Sequence, residues 1–256
     1  MMETGVRTPL IEMFRRGTVD VDIRMFAARG MLASRGHDQL ALLAMLTGDE
    51  NADVAAAAEA TLASIPAGSL VDFLARTDVP PELKAFFAAR GIDGSAGNPT
   101  ADDAPLVDAA PPAETTEGAE DEGSALKRIA GMNVAQRLTL ATKGSREERS
   151  ILIRDPNKIV AAAVLSSPKL TEMEVESIAR MANVSEDVLR IISTSRAWMK
   201  NYQVALSLTK NPKTPVAVSM NLLARLNERD LKMISTDRNV PDVLRMTARK
   251  KLVMDK

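Results

Sequence analysis

The residues best equipped to bind another molecule lie in the second half of the chain. Arg146, Arg149, Arg154 and Lys158 crowd around one turn, with Lys143 just ahead of them. Such cations neutralise phosphates and release their counterions. Further on, Arg196-Ala197-Trp198-Met199-Lys200-Asn201-Tyr202 holds the only Trp and the only Tyr. Rings among cations can stack nucleobases or anchor a protein partner. Spaced i and i+4 on a helix, Trp198 and Tyr202 can instead pack on a neighbouring hairpin while Arg196 and Lys200 face water. Asn211 can offer its amide to a ligand. Its setting, Asn211-Pro212-Lys213-Thr214-Pro215, reads first as the stop of one helix and the start of the next.

Residues suited to bond-making chemistry are sparse. There is no Cys and a single His, which excludes thiol catalysis, disulfides and Cys-based metal sites. His37 sits in Gly36-His37-Asp38 and reads as a surface or capping residue in a turn, not as a general base. Lys143-Gly144-Ser145 lacks the upstream glycine and the strand of a phosphate loop, so it reads as a helix end followed by an N-cap. Glu172, Glu174 and Glu176 alternate with no histidine beside them. They suit the positive end of a helix dipole better than a metal. The expectation is no catalytic residue, no metal, no cofactor and no small-molecule substrate. A helical-repeat enzyme would need an acid facing a tryptophan, and Trp198 is the sole candidate.

The elements that must position these residues are helices. Apolar residues make up 45% of the 256, yet only 3% are aromatic. Ala, Leu, Val and Met dominate, a balance that favours helix over sheet. From about residue 5 to 92 the pattern repeats. Ile23-Arg24-Met25-Phe26-Ala27-Ala28 aligns with Val54 onward, 31 residues later, and again with Leu83 onward after another 29. Second helices fall between, around Leu40–Leu46 and Leu70–Leu74. In the C-terminal half, Val160–Lys169 aligns with Val204–Lys213, 44 residues on. An extra helix is expected over Val216–Leu226. Ser145, Thr171, Ser185 and Thr214 read as N-caps, Thr171 and Glu174 have capping-box spacing, and Pro215 and Pro241 suit first turns.

Charge divides the chain into three. Residues 1–90 carry 9 Lys/Arg and 12 Asp/Glu; residues 91–124 carry no Lys/Arg and 9 Asp/Glu; residues 125–256 carry 24 and 13. The middle stretch is rich in Pro, Gly, Ala and acid, with too little apolar surface to offset the entropy of ordering. The expected organisation is therefore all-α: helical-repeat domains over 1–92 and 125–256, joined by a disordered acidic linker over 93–124. Nothing resembles a signal peptide or a membrane span, so a cytoplasmic protein without membrane insertion is expected.

Helical pairs repeated every 30–45 residues are the mark of an α-solenoid. The blocks VDIRMFAA and ADVAAAAEATL resemble HEAT repeats and their armadillo-like relatives over most of residues 18–92. The runs REERSILIRDPNKIVAAAVLSSPKLTEMEV and WMKNYQVALSLTKNPKTP resemble a group of bacterial helical-repeat proteins. The resemblance implies a binding surface and no catalytic residues. The expected function is a non-enzymatic protein–protein adaptor. The alternative is nucleic acid bound by the basic residues 125–256, with the acidic linker as an internal competitor.

Overall fold

The computed structural model describes residues 4–33, 35–107 and 122–254, apart from the side chains of 122–124. Among them are sixteen α-helices and one 3₁₀ turn, and no strand. The chain divides into two compact units, Met1–Leu152 with Ala162–Lys169, and Ile153–Ala161 with Leu170–Lys256. This division does not coincide with the segments 1–92, 93–124 and 125–256.

The first unit opens with α1 (Pro9–Arg15), α2 (Val21–Ala28), α3 (Gly36–Leu46), α4 (Ala52–Ser64), α5 (Ala67–Ala75) and α6 (Pro81–Ala88). The 30-residue pattern thus becomes α2, α4 and α6, with α3 and α5 between them. Small residues on the facing sides let the helices close on one another: Ala27 and Ala28 of α2 and Val54, Ala58 and Leu62 of α4 are buried. Asn51 caps α4 by accepting from the amides of Asp53 and Val54. Arg24 reaches from α2 to Asp49, with both carboxylate oxygens at 2.7 Å.

Helix α3 is the centre of this group, with α1, α2, α4 and α6 against it. From Leu40 to Leu46 every residue is buried, as befits a helix apolar on all sides. That position also carries Asp38 and Gln39 into the interior, where polar groups need partners. Thr8 supplies one for Asp38, and residues 94–107, the first half of the expected linker, supply most of those for Gln39. Residues 94–107 run as an ordered strap along the first unit. A Cβ on Gly97 would collide with the Val71 carbonyl of α5, so the strap's backbone lies directly on that helix. Residues 108–121 lie outside the described residues. The strap is held by hydrogen bonds to its backbone, which composition does not register. The unit also holds α7 (Glu122–Ala130), α8 (Val134–Lys143) and α9 (Arg146–Leu152); α10 (Lys158–Leu165) straddles the unit boundary.

The second unit contains α11 (Glu172–Arg180), α12 (Glu186–Thr194), the 3₁₀ turn Trp198–Lys200, α13 (Tyr202–Lys210), α14 (Val216–Leu223), α15 (Glu228–Thr236) and α16 (Asp242–Met254). The extra helix is α14. Thr171 and Glu174 form the expected capping box, and Ser185 caps α12. Thr214 does not cap α14. Pro215 takes the cap position, and the Thr214 side chain turns inward. The core joins Leu206 of α13, Leu223 of α14, Leu231 and Ile234 of α15, and Leu244 and Ala248 of α16.

Candidate functional site

Helices of the second unit end in a shared way. The residues after α11, α12, α13 and α15 are Met181, Ser195, Asn211 and Asp237, all extended, with φ from -68° to -75° and ψ from 114° to 122°. No left-handed glycine is used. Instead, the side chains of Asn211 and Asp237 accept from the amides two residues on, at 2.9 Å in each case. Three residues beyond Met181, Asn211 and Asp237, the turn places one side chain inward: Val184, Thr214 and Val240 are all buried. Trp198 holds the same place after α12, and is half-buried. Only Thr214 puts a hydroxyl into this slot, and its Oγ1 has no hydrogen-bond partner among the described residues. Thr214→Val is therefore expected to raise stability by about 1 kcal/mol in chemical denaturation, because a same-shaped methyl replaces an unsatisfied buried group.

The 44-residue repeat is visible in the same turns. Asn211 Nδ2 donates to Ala179 O at 2.8 Å and to Met181 O at 2.9 Å, tying the end of α13 to the end of α11. Ser167, its counterpart 44 residues earlier, donates to Thr142 O at 2.8 Å within the first unit. Asn211 is only 4% exposed and both of its amide hydrogens are engaged. Its donors are thus committed to the fold and not held out to a ligand.

Beside this clamp the ends of α11 and α13 and the turn after α15 enclose an open groove of about 740 Å³. Glu176 and Arg180, paired with each other, form one wall. Gln203, Ser207 and Lys210 of α13 line the floor, and Asp237 and Asn239 the far wall. The groove offers amides and hydroxyls at its floor and both signs of charge at its rim.

The residues singled out from sequence are divided between the two units. Arg146 and Arg149 belong to the first unit, Arg154 and Lys158 to the second. Arg149 is buried and donates to the carbonyls of Gly144 and Lys169, at 2.9 and 3.4 Å. Lys158 pairs with Asp187 at 2.7 Å. Arg146, Arg154, Arg196 and Lys200 are exposed. Trp198 and Tyr202 are not two positions of one helix: Asn201, extended, separates the 3₁₀ turn from α13 and caps the latter. Tyr202 packs on the core of the second unit, its hydroxyl donating to Asp230 and accepting from the Asn227 amide.

A second polar cluster lies in the first unit. His37, in the first turn of α3, sets Nδ1 2.6 Å from Asp103 Oδ1 of the strap, and its backbone amide donates to the same oxygen at 3.0 Å. Nε2 is 3.8 Å from Asp78, beyond hydrogen-bond range. The ring stands edge-on to Phe73, centroids 4.9 Å apart. The Asp103 hydrogen bond raises the His37 pKa above its ordinary value, outweighing burial. Burial pushes Asp103 upward, but the His37 ring and amide more than offset it and hold that carboxyl low. Next to them, Asp38 accepts from Thr8 Oγ1 at 3.0 Å and is pushed up to about 6 by burial.

No known protein family, curated protein or solved structure was found to match this chain.

Among the described residues no group of His, Cys, Asp or Glu is arranged to hold a metal ion, and no single helix is long and apolar enough to cross a membrane. Sequence reasoning placed His37 on the surface and passed over Asp38, Gln39 and Asp103. Their link spans 66 residues and enters a stretch read as linker. The available signal was two adjacent polar residues, Asp38-Gln39, opening an otherwise wholly apolar run.

Proposed function

We propose that this chain is a non-enzymatic adaptor built from HEAT-like helical repeats, and that the groove along α11, α13 and the turn after α15 docks an extended segment of a protein partner. The observation that carries this reading is the groove's lining. Backbone amides and carbonyls of an extended peptide find partners in Gln203, Ser207 and Asn239, while Lys210, Arg180 and Asp237 can select side chains of either sign. A nucleic-acid backbone would instead meet the carboxylates of Glu176 and Asp237, which repel phosphate. The excess of cations in residues 125–256 supports the nucleic-acid alternative, but two of the cations first singled out serve elsewhere, Arg149 on carbonyls and Lys158 on Asp187.

The test is affinity capture with the full chain, with and without nuclease, beside the groove variant Lys210→Glu. A partner retained after nuclease treatment and reduced at least tenfold by Lys210→Glu is the expected result. Capture that nuclease abolishes and Lys210→Glu leaves unchanged would assign the chain to nucleic acid instead.

A further inference from the structure

The strap is held in an unusual way for a connecting segment. None of residues 93–107 is buried, so the strap is not anchored by side chains in a core. It is read through its backbone. Gln39, 1% exposed in the central helix, accepts from the amides of Leu106 and Val107 at 2.7 and 3.0 Å. Its Nε2 donates to Val107 O at 2.8 Å and to Gly30 O at 3.0 Å. All four hydrogen-bonding positions of a side-chain amide are thereby filled, three of them by the strap. The Gly36 amide donates to Asp103 O at 2.9 Å. Gly36 must be glycine for this approach, since a Cβ would stand 2.6 Å from Phe73 Cε2 and 2.9 Å from Ala104 O. Arg76 donates to Ala101 O, and His37 receives the Asp103 carboxylate of the strap.

These contacts combine backbone recognition by a buried amide, a glycine-floored channel, and cations over a segment that contains two aspartates and no lysine or arginine. We propose that the face of the first unit lined by Gly36, His37, Gln39 and Arg76 is a receptor groove for an extended acidic peptide, which residues 101–107 fill as an intramolecular ligand. The groove cannot stand open without leaving three of the four hydrogen-bonding positions of the buried Gln39 amide without their partners. Release of the strap is therefore coupled to entry of another peptide of the same chemistry: extended, acidic, with small residues where it crosses Gly36. The strap, fixed with no buried side chain, is the element easiest to displace. This proposal is independent of the groove in the second unit.

The test uses a fluorescein-labelled peptide spanning residues 98–107 and the full chain. The unaltered chain should bind it weakly, because the groove is occupied. A chain whose own strap is weakened by Asp103→Ala and Val107→Pro should bind it at least tenfold more tightly, and the same peptide carrying Asp103→Ala should lose that gain. In the unaltered chain, saturating peptide should speed hydrogen exchange at the Leu106 and Val107 amides, a readout that needs no variant to fold. Lys210→Glu should leave all of this unchanged, which separates the outcome from that of the second groove. Equal affinity of the two chains for the peptide, or amides that stay protected at saturation, would overturn the proposal. A dimer of the unaltered chain that the peptide dissolves would also overturn it, giving the groove to a second copy of this chain.

Discussion

Asn211→Asp is expected to lower the stability of the second unit by about 3–5 kcal/mol, the range for a buried charge left without its partner. The two side chains have the same shape, so packing is unchanged and hydrogen bonding alone decides the result. In the native chain the amide nitrogen gives both hydrogens to Ala179 O and Met181 O, at 2.8 and 2.9 Å. A carboxylate would point a charged oxygen at two carbonyl oxygens at those distances, in a position 4% exposed. Asn211→Ala should cost less, about 2–3 kcal/mol, since it leaves two carbonyls unpaired and removes the bond to the Lys213 amide without adding charge. Urea unfolding followed by helical circular dichroism gives the order: native, alanine, aspartate. Acidification supplies a second check. Burial among acceptors raises the new carboxyl's pKa, so the deficit of the aspartate variant should shrink as pH falls and the carboxyl becomes a donor. An aspartate variant within about 1 kcal/mol of the native chain would mean that Asn211 does not hold α13 to α11.

That prediction depends on a feature half legible in the sequence. The 44-residue repeat put Ser167 and Asn211 in register, and both side chains prove to reach back to an earlier helix end. What periodicity could not tell is whether the amide faces a ligand or a carbonyl, because that depends on a helix 30 residues away. Helix starts were legible wherever the signal is local, as in Thr171 with Glu174 or Ser185. Thr214 failed as a cap because its place in the turn, shared with Val184 and Val240, demands an inward side chain, and that demand overrides the local preference of threonine for a helix start. The pairing of Trp198 with Tyr202 failed for a related reason. The i, i+4 spacing pairs the two rings only if one helix runs through Asn201, whereas Asn201 ends one element and caps the next. The strap is the largest omission. Its composition was read correctly as too poor to form a core, and indeed none of its side chains is buried. Order came from a receptor, the Gln39 amide, which lies outside the segment being read.

The first unit is expected to become more stable, not less, as pH falls from 7.5 to 5. Paired carboxylates with ordinary or lowered pKa values stay ionised over that range and contribute no such rise, so the sign is diagnostic. Asp38 is 2% exposed on the central helix. Burial raises its pKa from 3.8 to about 6, the Asp103 charge adds to the rise, and the Thr8 hydrogen bond with the charges of Arg35 and His37 opposes it. Between pH 3.8 and 6 the native chain therefore binds a proton that the unfolded chain does not, and native stability grows as pH drops through that interval. A carboxyl displaced this far penalises folding at neutral pH by about 3 kcal/mol, and protonation removes the penalty. His37 acts with the same sign. Its folded value lies above 6.5 because of Asp103, so its contribution is complete below 6.5 and is lost as pH climbs through the folded value. Asp78 and Arg76, the other charges facing the ring, oppose each other, the former raising and the latter lowering the His37 value. The gain ends at lower pH, where Asp103, held beneath its ordinary value, begins to protonate and its pairing with His37 is lost. Melting temperatures at pH 7.5, 6.5, 5.5 and 5.0 should thus rise steadily in the native chain. Asp38→Asn should flatten the slope, leaving only the smaller part due to His37, and His37→Gln in the same chain should remove the remainder. A native chain whose melting temperature falls over this range, or an Asp38→Asn variant that keeps the whole slope, would show that the interior of α3 carries no titrating carboxyl.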